Sequence, residues 1–526
     1  MTGADLLVRR LQEYGVRQVF GYPGGPLTPL YDALYRERNV RHILARDEQG
    51  AGFMADGFAR ATGQPGVCVA VCGPGAFNAF TPLLTAFTDS VPFLVISGQP
   101  QGCAPRSGHY HENDQQAACA TFVKARGSVE RLGDLLQELD RVWYAMQEGR
   151  PGPALLDVTG AVLAADAAEA PVPEHRQTPP TIGPRLDDVE ALVRLIGEWR
   201  RPLLMVGGGV IAANATDELR ELANRLGAPV FNTLMGKCVL PTDHPLAAGM
   251  PWRESTSDAS DMASRISPLF AEADGLLAIG CRFTQVITGS WALLPPKSLA
   301  QIDIDAAEIG RHYPVTLGIH ADAREALLAV LRYLPPAPRK PWTNPRPKQR
   351  AWPMNGMDLP AAVRRALPRE TIVIADVTQL GYRMLVEFPV YAPRTYLHPA
   401  GAVSMGYGLP AAIGVKAAFP DRPVVTVMGD GCYQMTGMEL ATAVQERLPV
   451  VVLLVNDGNL TLIKLIQERR FANRFIGVEL KNPDFALLAK AFGVRHRAAD
   501  SEATLEQSLR EAVACGETAV VELRLR

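Results

Sequence analysis

Val424-Val-Thr-Val-Met-Gly-Asp430-Gly431 and Val450-Val-Val-Leu-Leu-Val-Asn-Asp457 are two apolar, β-branched runs that both lead into an aspartate. Such runs predict buried strands, and the helical spacing of apolar residues from Met435 to Leu448 predicts a helix between them. A strand–helix–strand unit with a right-handed crossover has parallel strands. Both carboxylates would then lie at the carboxyl ends of neighbouring strands, where open α/β sheets bind ligands. The stretch therefore predicts an α/β fold with doubly wound parallel sheets.

The two aspartates suggest a site for a metal and a diphosphate. Two carboxylates and a backbone carbonyl suit a hard cation such as Mg²⁺, which commonly bridges to phosphate. Gly429 and Gly431 allow the backbone to approach that phosphate closely. An isolated Gly-Asp-Gly is usually a turn, but the Asn456-Asp457 pair at the end of the next strand favours the metal interpretation.

These motifs resemble the cofactor signature of the thiamine diphosphate (ThDP) enzymes. A second block comprises Phe20 to Gly25, His42 to Arg60, Gly73 to Gly75 and Asn78. This block is similar to the pyrimidine-binding domain of the acetolactate synthase branch. That branch is related to the benzoylformate decarboxylase-like 2-oxo acid decarboxylases. Proline-rich stretches at 165–185 and 334–353 indicate domain boundaries. With the resemblance, they predict a pyrimidine-binding domain at 1–165, a central domain at 186–335 and a diphosphate-binding domain at 356–526.

The resemblance implies roles for individual residues. Glu48 would hydrogen-bond the pyrimidine nitrogen N1′, favouring the cofactor tautomer that removes its own C2 proton; the alternative is an acid stabilising the N-terminus of a helix over 49–62. Metal ligands would be Asp430, Asp457 and the backbone oxygen of Asn459. Met405 would wedge between the two rings of the cofactor, or else be an ordinary core methionine. Further cofactor contacts are implied for Pro23, Gly24, Gly73, Asn78, Thr378, Gln379, Ser404, Gly429, Gly431, Cys432 and Thr461.

Composition is that of a large α/β protein. The chain has 526 residues, 47% of them hydrophobic, with a net charge of −2, so nothing indicates nucleic acid as a partner. No apolar run has membrane-spanning length, and Met1 to Phe20 lacks a signal-peptide pattern. The eight cysteines include no Cys-x-x-Cys pair, which predicts reduced thiols and a cytoplasmic location.

The middle third offers a contrasting function. Gly207-Gly-Gly209-Val-Ile-Ala212 follows an apolar run and fits a loose dinucleotide fingerprint. A nicotinamide-dependent oxidoreductase would then need an acidic ribose partner after the next run, where Asn232 and Thr233 stand instead. Some acetolactate synthase relatives bind FAD across this domain, but their Arg-Phe-Asp-Asp-Arg segment is here Arg282 to Val286, Arg-Phe-Thr-Gln-Val, which argues against FAD.

The expected activity is that of a ThDP- and Mg²⁺-dependent lyase or transferase acting on a small 2-oxo acid. An acetolactate synthase-like decarboxylating carboligase is the first hypothesis, and a simple decarboxylase that releases an aldehyde is the alternative. Tyr110 and His111 occupy the positions of a Phe-Gln pair near the reacting carbons of the synthases, and Ile466 replaces a tryptophan that biases their acceptor choice. The resemblance also implies a homodimer or a dimer of dimers, with each active site shared between the first domain of one subunit and the third domain of its partner.

Overall fold

Three parallel β-sheets, each with helices packed against it, form the protein. The computed structural model describes residues 1–100, 108–168, 181–252, 266–345, 354 and 356–525. Each sheet has six strands, and every pairing between these strands is parallel, which confirms the predicted fold class. The proline-rich segments lie partly outside the described residues, so the boundaries placed there stay predictions.

The first sheet has the strand order β2-β1-β3-β4-β6-β5. Its strands are β1 (Gln18–Gly21), β2 (Arg41–Leu44), β3 (Gly66–Val71), β4 (Phe93–Gln99), β5 (Ala125–Val129) and β6 (Ala154–Thr159). The helices around it are α1 (Gly3–Glu13), α2 (Thr28–Arg36), α3 (Glu48–Thr62), α4 (Pro74–Asn78), α5 (Phe80–Asp89), α6 (Gln115–Ala118), α7 (Leu135–Ala145) and α8 (Gly160–Ala164). The nearly continuous burial of β3 and β4 is typical of parallel strands covered on both faces.

The second sheet has the order β12-β11-β10-β7-β8-β9. It contains β7 (Pro202–Val206), β8 (Val230–Asn232), β9 (Ala247–Gly249), β10 (Gly275–Ile279), β11 (Leu299–Asp303) and β12 (Leu317–His320), with helices α9 (Leu186–Glu198), α10 (Gly208–Ala212), α11 (Thr216–Leu226), α12 (Leu269–Glu272) and α13 (Ala323–Tyr333). A Cβ atom on Gly207 would lie 1.9 Å from the carbonyl oxygen of Gly280. Backbone packing between two loops therefore explains the glycines of the dinucleotide-like pattern.

The third sheet has the order β14-β13-β15-β16-β18-β17. It contains β13 (Ile372–Ala375), β14 (Tyr396–Leu397), β15 (Val424–Gly429), β16 (Val451–Asn456), β17 (Arg495–Ala499) and β18 (Ala519–Arg524). Its helices are α14 (Leu359–Ala366), α15 (Gln379–Glu387), α16 (Gly408–Ala418), α17 (Asp430–Thr436), α18 (Leu440–Gln445), α19 (Thr461–Arg470), α20 (Phe485–Ala491) and α21 (Glu502–Ala514).

The helix predicted from Met435 to Leu448 differs from the observed one. Helix α17 already begins at Asp430, and a 3-10 turn at Gly437–Glu439 separates it from α18. Thr436 leaves the helical conformation with φ −132°, and its hydroxyl donates to the carbonyl oxygen of Gly406 at 2.8 Å. A tertiary hydrogen bond thus breaks the helix that local apolar spacing predicted.

Helices α3 and α16 join the first and third sheets within one chain. Their backbones touch at two glycines, because a Cβ on Gly57 would lie 2.5 Å from the oxygen of Ala411 and one on Gly414 would lie 1.9 Å from that of Met54.

In the described part of the chain no helix is both long and apolar enough to span a membrane. None of the seven described cysteines forms a disulfide, and six are buried.

Candidate active site

Asp430 and Asp457 lie side by side at the carboxyl ends of neighbouring strands. Gly429, the last residue of β15, pairs with Val455 of β16, so the segments that follow these two strands leave the sheet at the same edge. The Asp430 side chain is 2% exposed. Its Oδ1 accepts from the Gly431 amide at 2.8 Å, and its Oδ2 accepts from the Gly458 amide at 2.8 Å. These bonds fix the carboxylate toward the loop that follows β16.

Asp457 is held by the first turn of the segment that leads into α19. Its Oδ1 accepts from the Asn459 amide at 3.0 Å, and its Oδ2 accepts from the Thr461 hydroxyl. Burial raises the pKa of Asp457, these two hydrogen bonds lower it, and the neighbouring Asp430 carboxylate raises it again. The two carboxylates are therefore close enough to repel one another.

The oxygen donors here fit a hard divalent cation. The predicted ligand set has only two carboxylates, and no cluster of three His, Cys, Asp or Glu side chains suited to a metal occurs among the described residues. Mg²⁺ is commonly bound by one or two carboxylates, with phosphate and water completing its octahedron. A cation between Asp430 and Asp457 would also relieve their mutual repulsion, so the residues present match the group that the sequence implies.

The loop after β13 lies next to these aspartates and presents the start of α15. Asp376 is fully buried, accepts from the amides of Val377 at 2.7 Å and Gly408 at 2.8 Å, and burial raises its pKa to about 6. Thr378 is the N-cap of α15, which begins at Gln379. Because the N-terminus of a helix attracts anions, this turn is suited to a diphosphate. Cys432 instead points its thiol at the carbonyl oxygen of Val377, 3.0 Å away, and fastens the loop.

Met405 projects from the loop before α16 toward the same space. Its Cε lies 3.6 Å from where a Cβ on Gly431 would stand, so the methionine is next to the backbone of the aspartate turn. Ser404 is within 2.7 Å of the Thr85 hydroxyl on α5. Val403 has φ +53°, a conformation that a β-branched residue rarely adopts. The loop is therefore held in a specific shape by contacts with both domains.

Glu48 lies at the corresponding edge of the first sheet, as the first residue of α3, the helix that follows β2. It is 8% exposed, and its Oε2 accepts from the Asn78 side-chain amide at 3.0 Å. A Cβ on Gly75 would be 2.7 Å from Glu48 Oε1, and one on Gly24 would be 2.6 Å from Val71 Cβ. Gly75 therefore leaves room for the Glu48 carboxyl, and Gly24 leaves room for the neighbouring Val71 side chain. Asp47 caps α3 and Glu48 lies in the first turn of that helix, a position that also suits the helix-stabilising interpretation of Glu48.

Gly73 and His111 form the rim of this first-domain site. Gly73 has φ +68° and donates its amide to Gln115 Oε1 at 3.1 Å. A Cβ on Gly73 would lie 3.0 Å from the His111 carbonyl oxygen, and His111 Nδ1 is 3.3 Å from the oxygen of Cys72. His111 therefore stands beside the loop that leads to Asn78, whereas Tyr110 is 85% exposed.

The site residues form two sets, Glu48 with Asn78 in the first domain and Asp430 with Asp457 in the third. No hydrogen bond described in the structure joins Glu48 or Asn78 to Asp430 or Asp457. Large apolar side chains near each set in sequence are exposed: Tyr22, Phe77 and Leu84 in the first domain, and Met435, Met438, Ile463 and Ile476 in the third. Pro23 follows one of these exposed residues in the loop after β1.

Sequence reasoning missed Asn482 and Lys464, and His398 is a further buried residue of this region. Asn482 donates its side-chain amide to Asp430 Oδ2 at 2.7 Å and to Asn456 Oδ1 at 2.9 Å, and Lys464 donates to Asn459 Oδ1 at 2.7 Å. Neither belongs to a strand-end pattern, so no local signal marks them. His398 is buried with a pKa lowered to about 4, chiefly by burial, and its Nδ1 is 2.8 Å from the Ala375 oxygen.

Comparison with known proteins gives consistent matches along the chain. Residues 1–118, 189–330 and 376–523 match the N-terminal TPP-binding, central and C-terminal TPP-binding domains of the thiamine pyrophosphate enzymes. The chain is 37% identical to the acetolactate synthase large subunit of Corynebacterium glutamicum, over 94% of this chain and 82% of that protein. It is 36% identical to a protein of Pseudomonas aeruginosa described as a probable 2-ketoarginine decarboxylase, over 100% of this chain and 94% of that one.

A solved structure shares the fold. The thiamine diphosphate-dependent 4-hydroxybenzoylformate decarboxylase of Rhodococcus jostii superposes with a TM-score of 0.87 at 23% identity, covering 100% of this chain and 99% of that one. At this level of identity the likeness concerns the three-domain architecture.

Proposed function

Because this chain belongs to the thiamine pyrophosphate enzymes and depends on that cofactor, we propose that it is a Mg²⁺-requiring, acetolactate synthase-like carboligase. It would decarboxylate a small 2-oxo acid and join the remaining acyl group to a second carbonyl compound. The observation that carries the proposal is the pair Asp430 and Asp457, fixed at the ends of adjacent strands beside the α15 N-terminus. The similarity to the Corynebacterium synthase supports the carboligase activity.

Thiamine diphosphate, when bound, supplies the nucleophilic carbon and the electron sink for the loss of CO₂. Glu48 would hold the pyrimidine ring through its carboxyl, which the Asn78 amide orients. Asp430, Asp457 and the Asn459 carbonyl would hold Mg²⁺, and the turn at Thr378 and Gln379 would receive the diphosphate. Pro23, Gly24, Gly73, Gly429, Gly431 and Thr461 would shape the surrounding surface, with Met405 against the cofactor rings.

A simple decarboxylase is the second candidate. Tyr110 and His111 stand where the resemblance places the Phe-Gln pair of the synthases, and the His111 ring lies against the loop after β3. Imidazole can give a proton to a substrate carbon, which would release an aldehyde in place of a ligated product. The similarity to the Pseudomonas decarboxylase supports this reading.

The test is a panel of 2-oxo acids, each assayed for CO₂ release and for carboligation products with ThDP and Mg²⁺ added. Carboligation products from at least one donor support the proposal, and CO₂ with aldehyde alone supports the alternative. His111→Ala should change donor preference or the ratio of aldehyde to ligated product, while Glu48→Gln should lose most of both activities. Unchanged product profiles in an active His111→Ala variant would make His111 an ordinary loop residue.

We also propose that the active site is shared between subunits of a homodimer or a dimer of dimers. The resemblance to the acetolactate synthase branch and the exposed apolar side chains near both Glu48 and Asp430 support this. A Glu48→Ala subunit paired with an Asp430→Ala subunit carries both lesions in one site and none in the other, because a two-fold axis duplicates each contact. Equal mixtures of the two dead proteins should recover roughly a quarter of wild-type activity after subunit exchange. Isolated mixed dimers that stay inactive with saturating cofactor would contradict the shared site.

Two further expectations belong to this proposal. The chain should lack FAD, which the purified protein would show by the absence of flavin absorbance after denaturation. It should also act in the cytoplasm, which fractionation of the source cells would test.

A further inference from the structure

The turn that carries Glu48 rests on the third domain of the same chain. Between β2 and α3, the Arg46 amide donates to Glu439 Oε1 at 2.9 Å, and the Leu44 carbonyl oxygen accepts from the Thr442 hydroxyl at 3.1 Å. Both partners lie in the 3-10 turn and helix that follow α17. The backbone just before Glu48 is therefore bonded to an element of the other cofactor-binding domain.

Glu439 is buried at this contact with almost no space around it. Its side chain is 1% exposed. A Cβ on Gly50, in the first turn of α3, would lie 2.0 Å from Glu439 Oε1, and the three atoms nearest to that position all belong to Glu439. Only glycine fits at this point of the helix, because the carboxyl of Glu439 occupies the volume where a side chain would begin.

The hydrogen bonds around Glu439 are best satisfied by a neutral acid. Thr442 Oγ1 lies 2.6 Å from Glu439 Oε2 and 3.1 Å from the Leu44 oxygen, but a hydroxyl has a single hydrogen. If Glu439 carries a proton, it donates to Thr442, which donates onward to Leu44, while Oε1 accepts from Arg46. Burial raises the pKa of Glu439 to about 7; the hydrogen bonds from Thr442 and from the Arg46 and Asp47 amides lower it, and the charge of Asp47 raises it.

We propose that Glu439 is a positioning residue that fixes the turn before Glu48 and thereby aims the Glu48 carboxyl. The inference rests on the proposed role of Glu48 toward the cofactor. Glu48 is two residues from the Arg46 amide, so the backbone held by Glu439 sets where its side chain begins. A misplacement of about 1 Å can cost roughly 100-fold in rate when a group must meet its partner in a defined geometry.

The test measures the exchange of the C2 proton of bound ThDP, with enzyme saturated in ThDP and Mg²⁺ and the folded, loaded fraction quantified. Glu439→Gln keeps the size, the acceptor for Arg46 and a donor for Thr442, so its exchange rate should stay within about 2-fold of wild type. Glu439→Ala removes all three and should slow exchange at least about 10-fold. Gln18→Ala is the matched control: the Gln18 side-chain amide donates to the Ala417 carbonyl oxygen at 2.6 Å between the same two domains but bonds neither the turn nor Glu439, so its rate should be that of wild type.

Wild-type exchange in loaded Glu439→Ala, or a Glu439→Gln variant as slow as Glu439→Ala, would overturn the inference. If Glu439→Ala does not fold, Gly50→Ala replaces it, because the added methyl must displace the Glu439 carboxyl. A wild-type exchange rate in Gly50→Ala would also overturn the inference. Glu48→Gln separates this inference from the proposed function. Slow exchange in Glu48→Gln with normal exchange in Glu439→Ala refutes only the positioning role, whereas normal exchange in Glu48→Gln refutes the role of Glu48 itself.

Discussion

Replacing Glu439 by glutamine should change how the stability of the protein depends on pH. In the folded chain the pKa of Glu439 is raised from 4.5 to about 7, so between these values the native state holds a proton that the unfolded state has released. The free energy of unfolding therefore falls as pH rises from 4.5 to 7 and is independent of this group above 7. Glutamine is neutral throughout and removes that slope.

The size of the effect follows from the same shift. Each unit of pKa shift is worth about 1.4 kcal/mol. Ionisation of Glu439 would therefore lower the free energy of unfolding of the wild type by at most about 3 kcal/mol between pH 4.5 and pH 8. Glu439→Gln should accordingly match wild type near pH 4.5 and be the more stable protein at pH 8. Asp47, Arg46 and the nearby ion pair between Arg41 and Glu446, 3.1 Å apart, remain in both proteins, so the difference between the two curves isolates Glu439.

Urea unfolding followed by tryptophan fluorescence at half-unit steps from pH 5 to pH 8 provides the measurement. The difference between variant and wild type should rise monotonically with pH and level off above pH 7. A difference that is constant across the range would mean that Glu439 has the same ionisation in the folded and unfolded states. A variant that loses stability relative to wild type as pH rises would refute the neutral-acid arrangement.

Three other substitutions test separate parts of the structure. Asn482→Ala should weaken Mg²⁺ binding about 10-fold in the presence of ThDP, since it removes the side chain that orients Asp430. A Mg²⁺ titration that gives the wild-type affinity would contradict this. Asp89→Ala should lower the free energy of unfolding by about 1 to 3 kcal/mol, because buried Arg60 and the Ala400 amide lose an acceptor while Asp56 still pairs with Arg60; an unchanged free energy in urea unfolding would show the Arg60–Asp89 pair to be unimportant. Gly73→Ala should lower the free energy of unfolding by about 1 to 3 kcal/mol, because Gly73 has φ +68°, a conformation strained for alanine. An unaltered midpoint of thermal unfolding would show that the loop relaxes to accommodate alanine.

Much of the fold follows from local patterns. The runs ending at Asp430 and Asp457 are strands, they are neighbours in the sheet, and they are parallel, as the alternation of strand and helix predicts. Apolar spacing was less informative about where a helix begins or breaks, because the break at Thr436 depends on a hydrogen bond to Gly406. That bond joins positions 30 residues apart in sequence, beyond the reach of any window used to read periodicity.

The predicted site residues fall into two groups for a related reason. Motif residues stand at strand ends, and the topology of a parallel sheet brings strand ends together at one edge. The structure accordingly gathers Glu48 with Asn78, and Asp430 with Asp457. The supporting residues obey no such rule: Asn482 reaches Asp430 from 52 residues away in sequence.

The sequence by itself determined the α/β class, the strand-end chemistry and the resemblance to a cofactor family, because each is written in short runs of neighbouring residues. Tertiary structure alone decided that a buried acid of the third domain supports the turn before Glu48, a contact between residues 393 positions apart. The raised pKa of Glu439 is likewise a tertiary property, since the desolvation that causes it exists only once two domains have closed over the carboxyl. Residue type fixes what a group can donate or accept, and packing fixes which partner it meets and how much water remains.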